Sequence, residues 1–478
     1  MSYDYAIVGG GPTGLALAQI LNTQGKKVIL FERANTLGGC HRITRVPVAG
    51  ENLFAHHSPV VYTSAYKNFK TLLENMGTSF DALFTPYKFP VSQIGGFSAS
   101  KFKIHELVAF LIVFVASVIL PFPSSASMND FMTTFRFSDP SRDFVNRLCL
   151  LTDGAAADRY TLDEFMSLAE QLTGQTFQPR FSHDSPNGLF TIWGKCLEDR
   201  GVTIFRACAV RSLDGTSGSS TVKSINTQKG RFIAENFVLA IPPEQQNELL
   251  ASGDFKDAFG PIEQAKEWGK QTAYADYVPI CFHWATQLDL PRVWGFPASD
   301  WGIAWIVLTD YMSFDEPSSK TVLSVSVTML DKQSPFTNQT ANNSSFQQII
   351  DETLRQLRET FPNLPDPTQS IIPPHIFRSE TTYESTDTAF VSTKHGFKKA
   401  QGSVPNLFSV GTHNGNSSYR FTSLESAVSN AFHAAHKMVP NSRRLFPFRS
   451  TMTAQQIIRI ILLIVLGIAL ARRRVHKK

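Results

Sequence analysis

Residues 3–19 read Tyr-Asp-Tyr-Ala-Ile-Val-Gly-Gly-Gly-Pro-Thr-Gly-Leu-Ala-Leu-Ala-Gln, and the fold is decided in this stretch. Tyr5 to Val8 is a short apolar run of β type, and an apolar stretch from Leu15 to Leu21 follows the glycines. Gly25 stands where a helix C-cap falls, and Lys27 to Phe31 is a second β-type run. A β–turn–α–β unit within about thirty residues is the mononucleotide-binding half of a doubly wound α/β fold. GxGxxG spacing holds at Gly9, Gly11 and Gly14, with Pro12 and Thr13 opening the helix. The first glycine permits the tight turn, and the second lets backbone approach a pyrophosphate. The third allows close helix–strand packing, with phosphate on the helix N-terminus. Alone the pattern is weak. Its context is strong, because Glu32 stands eighteen residues beyond Gly14, at the end of the second strand. A carboxylate there accepts hydrogen bonds from ribose hydroxyls and repels a 2′-phosphate.

NAD and FAD share this half-site, so the choice rests on the next stretch. Arg33 is followed by Leu37-Gly38-Gly39-Cys40-His41-Arg42. Two glycines just past the ribose-binding carboxylate let the chain run along an extended pyrophosphate, whose charge His41 or Arg42 offsets. A nicotinamide dehydrogenase has no evident need of this second stretch, and FAD is the expected cofactor. GxGxxG, Glu, Arg and then Gly-Gly with a basic residue resembles the signature of the flavin amine oxidase, phytoene desaturase and UDP-galactopyranose mutase group.

Later segments extend the resemblance. Gly188 to Trp193, Arg200-Gly201-Val202 and Cys208-Ala209-Val210 resemble the group's return to the FAD domain, where backbone at the position of Val210 meets the adenine. Phe237 to Pro243 resembles the strand after it. Asn406 to Gly411, then Thr422 to Ala431 with Leu424 and Glu425, resemble the segment that closes the site. There the resemblance implies a helix N-terminus facing the flavin pyrimidine. Thr422-x-x-Glu425 also fits a capping box, so Glu425 either caps its own helix or contacts the cofactor. The group carries an acidic residue after the glycine where this chain has Thr412.

The fold class that follows is α/β: a Rossmann-type FAD-binding domain interleaved with an α+β substrate domain, plus a C-terminal membrane helix. The expected FAD domain comprises 1–75, 185–265 and 400–440, and the substrate domain 76–184 and 266–399. A linker at 441–451, a transmembrane tail anchor at 452–471 and a basic tail at 472–478 complete the chain. Helix is expected over Ser127–Thr173, Gln347–Thr360 and Thr422–Met438, and strands over Pro279–Trp284, Ile303–Thr309 and Thr321–Val327.

The net charge of +5 belongs to the tail, since Arg472, Arg473, Arg474, Lys477 and Lys478 close the chain. The body is near neutrality, which argues against a nucleic-acid partner. Five cysteines (Cys40, Cys149, Cys196, Cys208 and Cys281) are scattered without CxxC spacing, so neither a metal site nor a disulfide framework is suggested. Residues 452–471 suit a single membrane helix with basic flanks, the catalytic body facing the cytosol at the endoplasmic reticulum or outer mitochondrial membrane. The apolar run Leu107–Phe122 is short for a bilayer span. It reads as a buried helix ended by Pro121 and Pro123, as a membrane-dipping helix, or as a span.

FAD carries the redox chemistry, so the pocket decides the substrate. His56, His57, His413, Tyr419 and Arg420 are the candidates for the flavin face. Each has an ordinary structural alternative, such as strand-edge or loop packing. The expected substrate is a small molecule, an amine or a lipophilic compound; the tail, the 107–122 segment and 38 phenylalanines point to the latter. The alternatives are a non-redox mutase of the sugar-nucleotide type and an inert FAD-binding scaffold.

Overall fold

The strands Tyr3–Val8 and Val28–Phe31 are covered on both faces, which is why each reads as an apolar run rather than an alternation. The computed structural model describes residues 2–55, 60–89, 102–119, 126–166, 175–215, 220–251, 253–274, 277–296, 298–387, 390–393, 395–417, 422–450 and 456–465. The central parallel sheet has the order Thr203–Phe205, Val28–Phe31, Tyr3–Val8, Gly230–Leu239, Leu407–Ser409. Gly230–Leu239 serves two sheets. Its first half pairs antiparallel with Ser224–Thr227, which pairs in turn with Val210–Asp214.

One face of the sheet packs on the helices Pro12–Thr23, Lys67–Asn75, Leu189–Asp199 and Leu424–Met438 through Leu15, Leu72, Trp193 and Val428. Gln19 is the polar rivet of that layer: it accepts from Trp193 Nε1 (2.8 Å) and donates to the Leu72 carbonyl (2.9 Å). The other face buries Ile29, Phe31, Phe237 and Leu407 against the antiparallel strands.

A second, antiparallel sheet has the order Gly295–Phe296, Ile303–Val307, Thr321–Val327, Val278–Trp284, Gln369–Ile371. Leu323, Val325 and Val327 pack on Ile349, Leu354 and Leu357 of the helix Phe346–Thr360, which Ser345 and Gln348 start with a reciprocal capping box. The opposite face, with Cys281, Ile306 and Val322, meets Ile43 and Phe54. Those two residues tie this sheet to the chain just past the Gly38-Gly39 turn.

Ser127–Thr173 is helical in pieces where it is described: Met128–Thr134 and Asp139–Asp153 are separated where Arg136 takes a left-handed conformation (φ 53°), and residues 167–173 lie outside the described residues. Two expectations change. The apolar run is not a buried helix. Its described residues fall in the helix Ile104–Ile119, which buries Ala109 and Val113 but exposes Leu107, Val108, Leu111, Ile112 and Val115. The Thr422-x-x-Glu425 capping box is absent as well. Ser423 is the N-cap, accepting from Ser426 N–H, while Thr422 donates to the Phe390 and Val391 carbonyls.

Of the membrane helix expected at 452–471, residues 456–465 are described; they are helical and expose Ile457, Ile460, Ile461, Leu462, Leu463, Ile464 and Val465. Among the described residues no helix is long and apolar enough to cross a membrane.

Glu425 serves a neighbouring helix instead of its own. Its carboxylate accepts from Asn68 N–H (2.9 Å), Asn68 Nδ2 (2.7 Å) and Phe69 N–H (3.0 Å), in the first turn of Lys67–Asn75. The two backbone N–H groups, in the first turn of the helix, have no intrahelical acceptor. Burial pushes the Glu425 pKa up to about 7, against the pull of those donors. A carboxyl raised in the folded state favours folding fully below its unfolded value near 4.5 and loses that contribution as pH rises through about 7. Urea titrations of the wild type and Glu425→Gln should therefore diverge least favourably for the wild type above pH 7, with a swing on the order of 3 kcal/mol. A pH-independent difference between the two would contradict this account.

Candidate dinucleotide site

Successive strands of the parallel sheet release the chain at one edge. Gly9 N–H bonds the Phe31 carbonyl (2.8 Å), Ala240 N–H the Val8 carbonyl (2.8 Å), and Val410 N–H the Leu239 carbonyl (3.0 Å). The edge is the carboxyl end, and the direction of strand order reverses beside Tyr3–Val8, where such folds hold their ligands. Gly9 turns the chain with φ 110°, a conformation that side chains other than glycine's resist. A Cβ on Gly14 would lie 2.0 Å from the Gly9 carbonyl oxygen, so only glycine brings the helix this close to the loop. Pro12 occupies the first turn and Gly11 the N-cap with no side-chain partner, so free N–H groups point out of the helix end.

The second glycine pair is folded onto the first. Gly38 N–H donates to the Gly10 carbonyl (2.9 Å), and a Cβ on Gly11 would lie 3.6 Å from Gly39 Cα. Gly11 and Gly39 thus face each other with no side chain between them. Glu32 is buried beside this cradle, its carboxylate held by Gly10 N–H and Ala34 N–H (both 2.8 Å). The Cys208 N–H bonds the Glu32 carbonyl (2.8 Å), which sets Val210 at the start of its strand near the same end.

The basic residues behave differently from expectation. Arg33 and Arg42 both turn to Asp387: Arg33 Nη2 lies 3.6 Å from one carboxylate oxygen, and Arg42 Nη2 donates to the other. Two guanidinium groups against one carboxylate still leave net positive charge beside the turn. His41 contributes none, because burial lowers its pKa to about 4. Its Nδ1 instead meets the Tyr62 hydroxyl (3.2 Å), which also meets His183 Nε2 (2.8 Å). One hydroxyl proton between two ring nitrogens makes Tyr62 donor to one and acceptor from the other.

The closing segment brings a second helix end to the first. Thr13 Oγ1 donates to the Ala427 carbonyl (3.4 Å), so the N-termini of Pro12–Thr23 and Leu424–Met438 converge, with Leu424 buried between them and the core. Both helix dipoles present their positive ends here. Gly411 ends its strand in extended backbone, its N–H donating to Asn414 Oδ1 (3.0 Å). His413 is not on an open face: it is buried, its Nε2 within 2.8 Å of Ser409 Oγ, and burial together with Lys398 lowers its pKa to about 3. His56, His57, Tyr419 and Arg420 lie outside the described residues.

Other groups escaped the sequence reading. Cys40, His41 and Tyr311 are each partly exposed and lie near Tyr62. Burial holds the Cys40 thiol up at about 12, and burial with neighbouring Tyr87, Tyr62, Asp310 and Cys281 holds the Tyr311 phenol well above its usual range. Tyr62 is raised likewise, by burial first. Asp387 and Asn68 had no signal at all in the sequence, because each acts on residues hundreds of positions away.

Glycines, carboxylate and paired helix ends define a dinucleotide-binding Rossmann domain. The family profile for NAD(P)-binding Rossmann-like domains matches residues 7–76. No curated protein matches the chain by sequence. Solved structures match over nearly the whole chain. Putrescine oxidase bound to putrescine aligns with TM-score 0.65 and 14% identity, over 92% of this chain and 99% of that one. Cyclohexylamine oxidase from Brevibacterium oxydans IH-35A gives 0.61 and 13%, over 92% and 99%. A CLA-producing fatty acid isomerase from P. acnes gives 0.56 and 11%, over 91% and 99%. The chain therefore shares its fold with putrescine oxidase and cyclohexylamine oxidase over nearly its whole length.

The two central glycines should separate experimentally. Gly11→Ala places its methyl in the cradle without striking protein, so thermal unfolding of the ligand-free chain should change by less than about 1 kcal/mol, while dinucleotide retention through gel filtration is lost. Gly14→Ala overlaps the Gly9 carbonyl and should cost fold stability itself. Equal cofactor retention by wild type and Gly11→Ala would contradict the cradle.

Proposed function

We propose that the protein is an FAD-dependent oxidoreductase that takes a hydride from an uncharged amine or a lipophilic substrate. The observation that carries this reading is the facing pair Gly11 and Gly39 at two convergent helix N-termini. That cradle is lined by backbone on both sides and fits an extended pyrophosphate. Glu32 would hold the adenosine ribose, Val210 would lie along the adenine, and Gly9, Gly11, Pro12, Thr13 and Gly14 would face the phosphates. Gly38, Gly39 and the net positive charge of Arg33 and Arg42 would complete that contact. Gly411, Thr422 and Leu424 would border the far half. Bound there, FAD supplies hydride acceptance.

The chain's own residues choose the substrate. His41, Tyr62, Tyr311 and Cys40 are all neutral at pH 7, and burial moves each further from its charged form. None of these four side chains offers an entering cation a counter-charge, and the nearby carboxylates Asp310 and Asp387 are already paired with Arg292 and with Arg33 and Arg42. This group of residues therefore favours a deprotonated amine or an apolar chain. Tyr62, between two histidines, is placed to hold or pass a proton at its hydroxyl. The matched folds include enzymes named for an amine, putrescine, and for a fatty acid, so the fold alone does not separate the two classes.

The 452–471 segment is read as a bilayer anchor, with the body on the cytosolic side. The exposed aliphatic side chains of 456–465 and the following Arg472, Arg473, Arg474, Lys477 and Lys478 support it.

Anaerobic titration of the purified yellow protein with primary amines and with polyprenyl or fatty-acyl compounds tests the reading. One class should bleach the flavin. For an amine, the second-order bleaching rate should climb with pH toward the amine's own pKa, with no break from His41 between pH 5 and 9. Flavin that no donor bleaches would support an inert scaffold. Turnover that requires prior chemical reduction would support a mutase.

A further inference from the structure

The helix Ile104–Ile119 wears an apolar stripe that nothing in the described chain covers. Ile104, Leu107, Val108, Leu111, Ile112 and Val115 repeat at three- and four-residue steps and so share one face, each at least 41% exposed. Ile104 reaches 82% and Leu111 60%.

The opposite face is fixed in place. Ala109 and Val113 are buried with Phe131, Met132, Phe137 and Val145. Glu106, fully buried, accepts from Lys103 N–H (2.7 Å), Ser138 N–H (2.6 Å), Ser138 Oγ (2.9 Å) and Ser141 Oγ (2.6 Å). Rolling the helix to hide its stripe would strip that carboxylate of its three donors from Ser138 and Ser141. The exposure is therefore built in, and an aliphatic patch of this kind marks an interaction surface.

The charge around the stripe selects the partner. Exposed Lys103 stands at its N-terminal end, with Lys101 just upstream in the sequence. Exposed Arg136 is brought there by the contact of its carbonyl with His105 Nε2 (3.4 Å). The acidic residue of that turn, Glu106, faces inward. An aliphatic face with a cationic end matches acyl chains below anionic headgroups. The same pairing recurs in the chain, where the aliphatic 456–465 helix precedes five basic residues.

We infer that Ile104–Ile119 lies in the surface plane of a membrane containing anionic lipid, as a second contact beside the C-terminal anchor. The inference rests on the proposed anchoring and extends it: the body is held against the bilayer at two points, in a fixed orientation, and not tethered by its tail alone.

The test uses the full chain with Leu111→Cys carrying an environment-sensitive nitrobenzoxadiazole label, and the same label at Lys195→Cys as a control on the exposed side of Leu189–Asp199. Unsubstituted chain, labelled in parallel, gives the background from partly accessible Cys40 and Cys196. Added phosphatidylcholine vesicles containing phosphatidylserine should shift the emission of the label at 111 to the blue. Acyl-chain spin labels should quench it, while the label at 195 stays unchanged. Lys103→Glu should weaken the shift. A chain that floats with the vesicles while its label at 111 remains in water overturns the inference and leaves the anchor standing. A chain that does not float removes both. A shift that needs no vesicles and grows with protein concentration assigns the stripe to a second copy and also overturns it.

Discussion

The absence of one methyl group governs this structure. Where the Cβ of Gly14 would sit, 2.0 Å away, lies the carbonyl oxygen of Gly9. That approach lets the helix Pro12–Thr23 begin directly at the end of the first strand. It thereby carries Thr13 to the Ala427 carbonyl, so a helix from the far end of the chain ends at the same point. The Gly38-Gly39 turn can then close over Gly10 and Gly11 with no side chain intervening. A bulkier residue at Gly14 would displace all three at once.

From that point the electrostatics divide. On the nucleotide side, two helix N-termini and a two-arginine, one-carboxylate cluster at Asp387 make the cradle positive, suited to phosphate. On the other side of the Gly38-Gly39 turn, His41, Tyr62, Tyr311 and Cys40 are neutral, and burial moves each further from its charged form. Positive backbone dipoles thus lie next to four neutral side chains. A hydride donor reaching them would meet groups that favour a neutral, partly apolar molecule. The exposed helix Ile104–Ile119 would hold such a protein where lipophilic molecules are concentrated.

The sequence revealed those features that constrain the backbone locally. Gly9, Gly11, Gly14 and Glu32 were legible because a tight turn and a close helix need those residues at that spacing. The second sheet was legible as apolar β-type runs, and its covering helix Phe346–Thr360 by its pattern of apolar positions. Features set by distant partners were not legible. Glu425 pairs with Asn68, 357 residues away, and Arg42 with Asp387, 345 away. Thr422 and Ser423 are equally able to cap a helix. The choice falls on Ser423 because the Thr422 hydroxyl is drawn to the Phe390 and Val391 carbonyls. The apolar run after Lys103 announced a hydrophobic helix but not its orientation. That was decided by Glu106, whose partners Ser138 and Ser141 lie more than thirty residues on.

The central claim is that the doubled glycine cradle is shaped for FAD. Heat-denaturing a known amount of the purified full-length chain and identifying the released nucleotide by chromatography tests it most directly. The account predicts one equivalent of FAD per chain, absent from Gly11→Ala purified in the same way. Release of NAD or NADP instead, or failure of the folded chain to take up added FAD, would contradict it.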